Sequence, residues 1–167
     1  KFTRNSVQAW QTGGLLIGVS EFSILDSEFA RNKTIDFYID KKGNWKKEPQ
    51  NVDFAILAYG FLKYNDKVVF IKPAMDFLIG VIEKQIGEDG LIAYSNNKNI
   101  RYIDTLGLVC PFLVAYDKAY KTSKYSQLAV SQLEKFIENG LFKDTFLLVH
   151  SYEIKNNLPI GVYGWGR

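Results

Sequence analysis

The sequence predicts an all-α fold built from helical hairpins. Apolar residues recur at three- and four-residue spacing along almost the whole chain, which is the pattern of amphipathic helices. The stretches between these segments are short and rich in Gly, Asn, Lys and Asp, which favours turns. A glycine also follows every second helical segment at intervals of about 50 residues, which is typical of a repeated hairpin.

Six helices follow from this pattern, and they fall into three pairs. We place them at residues 7–24, 27–40, 52–64, 69–86, 102–121 and 124–138. The second helix of each pair is followed by Gly43, Gly90 or Gly140. Glycine suits the end of a helix because a left-handed backbone costs it no Cβ strain.

The connections between consecutive pairs are predicted to be extended. Residues 91–94 and 146–150 are apolar and end in Tyr94 and His150, and we expect them at one end of the helical layers. Loops gathered at one end of a rigid scaffold are where a site is usually built. The glycine-rich stretch 158–167 is predicted to be a further loop.

A period of about 50 residues fits an open helical solenoid as well as a closed ring. Both helices of each pair are strongly apolar, and the connections carry Trp, Tyr and His instead of plain turn residues. These two features favour the ring. We therefore treat residues 1–167 as part of a single domain.

Composition narrows the function further. The 167 residues are 47% hydrophobic, which is enough for a real core, and 21 basic and 18 acidic residues leave a net charge of only +3. These charges are scattered, so we expect no nucleic-acid partner, although a mildly basic surface suits an anionic oligosaccharide. Charged residues interrupt every apolar run, so we expect no membrane span.

The single cysteine, Cys110, rules out a disulfide within the chain. Its apolar neighbours predict a core thiol and not a nucleophile. With no visible secretion signal, we expect a cytoplasmic location, the periplasm being the alternative.

Two aspartates are candidates for chemistry. Asp53 and Asp104 each open the first helix of a pair, and their separation matches the repeat, so a ring would place both on one rim. Enzymes that cleave glycosides usually use a pair of carboxyl groups, of which one holds a proton while the other stays charged. The alternative is that Asp104 only caps its helix or interacts favourably with the helix dipole.

Three further residues suit the binding of an acidic sugar. His150 is the only histidine, which makes a zinc centre improbable, and it can equally be a structural residue. Trp165 and Arg167 lie together near the end of the chain, and an aromatic face beside a guanidinium suits a sugar ring with a carboxylate. The alternative is an unstructured tail.

At these residues the sequence resembles glycoside hydrolase families 88 and 105, the unsaturated glucuronyl and unsaturated rhamnogalacturonyl hydrolases. The similar segments are residues 51–62, 102–106, 111–113, 140–150 and 164–167. Each is weak alone, and their order and spacing carry the resemblance. The chain has Tyr102 where these families commonly have Trp, which leaves the substrate subclass open.

The resemblance implies an (α/α)6 toroid of six hairpins, of which this chain supplies the amino-terminal three. It implies that Asp104 is the general acid that protonates the C4–C5 double bond of an unsaturated uronic acid and then helps to activate water, while Asp53 positions substrate hydroxyls. His150, Trp165, Arg167 and Tyr102 would bind the sugar. No metal or organic cofactor is implied.

Half a toroid would expose apolar helix flanks, so we expect a homodimer or association with the remainder of the same polypeptide, and no activity from this fragment alone. Three other classes stay open. One is a non-catalytic carbohydrate-binding protein, and the second is an open helical repeat that binds a protein partner. The third is another toroid enzyme, such as an epimerase or a lyase, which would usually need more than one histidine.

Overall fold

The computed structural model describes residues 8–22, 27–63, 68–94, 97–142, 147–156 and 158–161. Within these ranges lie six helices and five short strands. The helices are α1 (Ala9–Phe22), α2 (Ser27–Tyr38), α3 (Phe54–Lys63), α4 (Lys72–Lys84), α5 (Asp104–Tyr120) and α6 (Lys124–Gly140). The strands are β1 (Ile100–Tyr102), β2 (Leu141–Phe142), β3 (Leu147–Leu148), β4 (Ser151–Glu153) and β5 (Leu158–Gly161). The mostly helical prediction is confirmed, and small antiparallel sheets are added to it.

Helix α3 lies between α1 and α5 in the helix packing. Helix α3 contacts both α1 and α5, and each of α1, α3 and α5 also contacts the helix that follows it. Helices α1 and α3 approach each other closely at Gly13. A Cβ atom at this position would lie only 2.7 Å from the backbone nitrogen of Leu57. The arrangement of three pairs as half of a ring stays a prediction.

After each of α2, α4 and α6 the chain reverses direction. In each reversal a backbone amide donates to a carbonyl at the helix end: Lys46 to Tyr38, Ala93 to Gln85 and Val149 to Gly140. Gly43 and Gly90 turn the first two reversals with positive φ angles of 83° and 76°. The left-handed prediction is wrong for Gly140, which is the last residue of α6, because the chain continues there directly into extended backbone.

The sheets correct two boundaries of the prediction. Tyr102, expected to begin the fifth helix, belongs to β1, and α5 begins at Asp104. Residues 158–161, expected to be loop, form β5. The three-stranded sheet has the antiparallel order β1-β4-β5, and β2 pairs with β3. Because β4 lies about 50 residues after β1, the partner that makes β1 extended is invisible to local periodicity.

Most of the aromatic side chains that the structure describes lie in the core or pack against it. Trp45 is buried, donates its indole N–H to the Ala74 carbonyl at 2.6 Å, and packs edge to face with Phe54 at a centroid distance of 5.5 Å. A second group stacks between α5 and α6, where Tyr116 meets Tyr125 at 5.2 Å. These described rings therefore contribute mainly to packing between the helices. None of the described helices is long and apolar enough to cross a membrane.

Candidate active site

The beginning of α5 is held beside His150 by the small sheet. Tyr102 in β1 pairs with Ser151 in β4, and the Ile103 N–H donates to the His150 carbonyl at 2.9 Å. These backbone bonds bring Asp104, the first residue of α5, next to the His150 side chain. Asp104 Oδ2 and His150 Nε2 share a hydrogen bond of 2.8 Å.

The contact with His150 bears on the capping interpretation of Asp104. The residue before α5 makes no capping hydrogen bond with its side chain, and the Asp104 carboxylate is directed to His150 instead of to the helix amides. About half of the Asp104 side chain (51%) stays exposed to solvent. The carboxylate is thus oriented by one partner and still open to a ligand.

Arg101 anchors the strand that leads into this site. Its side chain is only 1% exposed, and its guanidinium makes two hydrogen bonds to the Asp89 carboxylate, at 2.9 and 2.6 Å. A third bond runs from Arg101 to the Lys98 carbonyl at 2.8 Å. A buried guanidinium so fully bonded holds the backbone of β1 in place, and with it the side chain of Tyr102 on the opposite face.

Asp53 lies directly before α3, in a local turn in which it contacts the side chain of Asn51. Its backbone amide donates to the Asn51 side chain at 3.2 Å, and the Asn51 amide group lies 3.4 Å from Asp53 Oδ2. The other carboxylate oxygen, Oδ1, is buried and has no hydrogen-bond partner among the described residues. A buried carboxylate oxygen without a donor is uncommon in folded proteins.

Tyr94 links the two aspartates, and the sequence did not single it out. Burial raises the pKa of the Tyr94 hydroxyl, and its interaction with the Asp53 carboxylate and the negative charge of Asp104 raise it further. The charges of both carboxylates therefore act on the Tyr94 hydroxyl. The signal available in the sequence was its place at the end of the extended segment 91–94, which was expected at the site end of the helical layers.

An aromatic row borders the carboxylates. The ring centroids of Tyr94 and Tyr102 are 5.8 Å apart, and those of Tyr102 and His150 are 5.7 Å apart. The row runs from the Asp53 side of the site to Asp104. Such a row offers apolar ring surface next to acidic groups, which is the combination that sugar rings require.

Four of the six residues predicted for the site therefore lie in one neighbourhood, namely Asp53, Tyr102, Asp104 and His150. Trp165 and Arg167 are outside the described residues, and their sugar-binding role stays a prediction. In the part of the chain that the structure describes, no group of three or more His, Cys, Asp or Glu side chains could hold a metal ion.

Comparison with protein-family models finds no match for the chain, and a search of curated proteins finds none either. The function is therefore inferred from the site itself and from the resemblance of its motifs.

Proposed function

We propose that this chain supplies the catalytic half of an unsaturated uronyl hydrolase with an (α/α)6 toroid fold. The observation that carries the proposal is the Asp104 carboxylate, which is half exposed and hydrogen-bonded to His150. Its charge, like that of Asp53, also raises the pKa of the Tyr94 hydroxyl. Two carboxylates in different surroundings, beside an aromatic row, suit acid–base chemistry on a sugar.

The proposed reaction is the hydration of a vinyl ether. Protonated Asp104 transfers its proton to C4 of the unsaturated uronic acid, and the positive charge that develops at C5 is captured by water. The Asp104 carboxylate accepts a proton from that water and is restored to its starting state. The hemiketal formed at C5 then opens and releases the second sugar, so no covalent intermediate with the protein is needed.

We infer a role for His150 besides contact with the sugar. Its Nε2 atom is already bonded to Asp104, so the imidazole orients the carboxyl group that must reach C4. The ring of Tyr102 packs edge to face against the imidazole of His150 and keeps it in place. His150 therefore supports the acid directly, while Asp53 is left to hold substrate hydroxyls.

Exposed apolar residues on α5 and α6 support the view that further structure covers this flank. Val114, Val130, Leu133 and Ile137 are each between 44 and 53% exposed. A monomer rarely leaves such a contiguous apolar surface in water. We expect this chain, prepared alone, to associate with itself or with the remainder of its polypeptide, and sedimentation as a monodisperse monomer would count against this expectation.

The test of the function is an assay of the full-length polypeptide. Unsaturated glucuronyl and galacturonyl disaccharides absorb ultraviolet light through their conjugated double bond, so hydration is followed as loss of absorbance. We expect consumption of at least one of these disaccharides and none of their saturated counterparts. If no unsaturated disaccharide is consumed, the assignment as a hydrolase fails.

A non-catalytic sugar-binding protein is the second candidate, and the row of Tyr94, Tyr102 and His150 favours it because that surface needs no acid. Titration calorimetry with the same disaccharides separates the two functions. Heat of binding without loss of absorbance would support the binding protein, whereas loss of absorbance supports the enzyme.

A further inference from the structure

An ion pair joins β1 to the chain reversal after α4. The Arg101 side chain is 1% exposed and the Asp89 side chain 20%, and they share hydrogen bonds of 2.9 and 2.6 Å. Such a pair adds little net stability, because both groups lose contact with water, and apolar residues of similar volume are often at least as stabilising. Stability alone therefore does not explain the presence of this pair.

Helix α6 determines where the Asp89 carboxylate lies. The Lys135 ammonium donates to the Asp89 carbonyl at 2.8 Å. The buried Gln132 side chain accepts a hydrogen bond from the Ile92 amide at 2.7 Å and donates one to the Gly90 carbonyl at 2.9 Å. The reversal is thus bonded to α6 on both sides of its turn and presents Asp89 at a fixed place.

The same reversal leaves little space around the guanidinium group. A Cβ atom at Gly87 would collide with Arg101 Nη2 and would lie 2.8 Å from Asp89 Oδ1. Arg101 Nη1 also donates to the Lys98 carbonyl at 2.8 Å. The Arg101 side chain is therefore enclosed by backbone and carboxylate, and it can take few other positions.

Strand β1 connects this ion pair to the candidate active site. Arg101 is the central residue of β1 and pairs with Tyr152 in β4. Asp104 comes three residues after Arg101, and His150 comes two residues before Tyr152. The two strands thus lead to the partners of the 2.8 Å hydrogen bond between Asp104 and His150. A displacement of β1 relative to β4 would change that hydrogen bond.

We propose that Asp89 and Arg101 are positioning residues, whose ion pair fixes β1 and so sets the place of Asp104 relative to His150. Their role in catalysis rests on the proposed function, whereas their effect on the Asp104–His150 hydrogen bond is a property of the chain alone. Neither residue needs to contact the sugar. A displacement of about 1 Å can cost about 10²-fold in rate, so a small movement of β1 is enough to matter.

The variant that tests this removes the ion pair without leaving a charge buried. In Asp89→Asn/Arg101→Met the new amide oxygen can still accept from the Leu91 amide, which lies 3.2 Å from Asp89 Oδ1 in the wild type. The flexible methionine fills space that the arginine stem occupied. The double variant should keep an unfolding midpoint close to that of the wild type, because both charges are gone. Replacing Asp89 alone would leave the guanidinium buried without a counter-charge.

The first measurement needs no enzymatic activity. It follows the Nε2 resonance of His150 in the full-length polypeptide by NMR, with the resonance assigned by its loss in His150→Gln. Asp104→Asn should shift this resonance in the wild type, because an amide replaces the bonded carboxylate. In the double variant the same change should shift it about half as much or less. An equal shift in both backgrounds would overturn the proposal.

The second measurement is the turnover of an unsaturated disaccharide by the full-length polypeptide. We expect kcat of the double variant to fall about tenfold or more, because Asp104 is no longer held beside His150. Arg101→Lys keeps the charge but loses the fork that binds both carboxylate oxygens, so it should lower kcat by a smaller factor. A folded double variant with the wild-type kcat would overturn the proposal. If the double variant does not fold, Arg101→Lys takes its place, and wild-type values in both measurements would overturn the proposal.

Glu83→Gln/Lys124→Met is the matched control. Lys124 in α6 and Glu83 in α4 form an ion pair of 2.6 Å on the exposed surface, with side chains 69 and 39% exposed. Removing this pair should leave both kcat and the His150 shift unchanged. Losses equal to those of Asp89→Asn/Arg101→Met would show that the effect is not specific to β1, and the proposal would be wrong.

The two measurements separate the possible failures. A reduced His150 shift in the double variant, without consumption of any unsaturated disaccharide by the wild type, would keep the positioning of Asp104 and remove the hydrolase. Consumption of the disaccharide with equal kcat for the wild type and the double variant would keep the hydrolase and remove the positioning role of Asp89 and Arg101.

Discussion

Helix α5 carries an aspartate near each end, and the two lie in opposite surroundings. Asp117 is only 3% exposed, and its carboxylate accepts hydrogen bonds from the Thr122 hydroxyl and from the Ser126 amide, the latter at 2.6 Å. Asp104 has a side chain that is 51% exposed, and among the described residues its one hydrogen bond is to His150.

The difference shows how the same side chain serves two purposes. The Asp117 carboxylate accepts its hydrogen bonds from within the chain and stabilises the turn that joins α5 to α6. The same turn contains Lys121 in a left-handed conformation. The exposed Asp104 carboxylate can still accept hydrogen bonds from a ligand or exchange a proton with it. Burial and hydrogen bonding, and not residue type, thus separate a structural aspartate from a candidate catalytic one.

The largest expected effect is on the rate after Asp104→Asn. The amide cannot give a proton to C4, so turnover of an unsaturated disaccharide by the full-length polypeptide should fall on the order of 10²-fold or more. The unfolding midpoint should hardly change, because the side chain is half exposed. Asp36→Asn, a change on the exposed face of α2, is the control and should keep the full rate.

The next effect concerns stability after Asp117→Asn. The variant weakens the carboxylate's hydrogen bonds to Thr122 and Ser126 in a buried place, so the free energy of unfolding should fall by about 1–3 kcal/mol. Denaturant unfolding at neutral pH measures this loss. No loss of stability would mean that the turn between α5 and α6 does not depend on this carboxylate.

The stability contribution of Asp117 should depend on pH. Burial by itself would raise its pKa, but the hydrogen bonds from Thr122 and Ser126 prevail and hold the pKa below the usual value. A lowered folded-state pKa means that the contribution is complete above the unfolded value of about 4 and is lost as the pH falls through the folded value. The difference between wild type and Asp117→Asn should therefore shrink in acid. A difference that stays constant to strongly acidic pH would contradict this.

A smaller change in rate is expected after His150→Ala. The variant removes the partner that orients Asp104 but keeps the acid itself, so kcat should fall about tenfold, less than after Asp104→Asn. Adding His150→Ala to Asp104→Asn should cost little more, because the oriented group is already gone. Independent, additive losses would show that His150 acts on the sugar and not through Asp104.

The smallest effect is expected at Cys110, also in α5, and concerns how fast its thiol is modified. The thiol is buried, and burial raises its pKa to about 11, so little thiolate forms near neutral pH. Iodoacetamide should modify the folded chain far more slowly than the unfolded chain, as measured by mass spectrometry. Equal rates would contradict the prediction of a core thiol.

The helices were predictable from the sequence because their signal is local. Residues 3 and 4 apart decide which face is apolar, so all six helices were found, with ends shifted by a few residues. Strand β1 was missed because its extended form depends on β4, far along the chain, which no local pattern reveals. Tyr102 was for that reason assigned to a helix.

The site was predictable to the extent that it follows the repeat. Asp53 and Asp104 could be proposed together because each lies at the beginning of a helix and their separation matches the repeat. The bond between Asp104 and His150 could not be predicted, because it depends on the pairing of β1 with β4. Tyr94 was missed because nothing in the sequence distinguishes a tyrosine beside carboxylates from the many that fill the core.

The most direct test is the ratio of turnover numbers of Asp117→Asn and Asp104→Asn, measured with the same unsaturated disaccharide in the full-length polypeptide, at a temperature where both variants are folded. If chemistry belongs to the beginning of α5 and stability to its end, the Asp117→Asn variant should be faster by about 100-fold or more. A ratio near one would contradict the assignment of Asp104 as the acid.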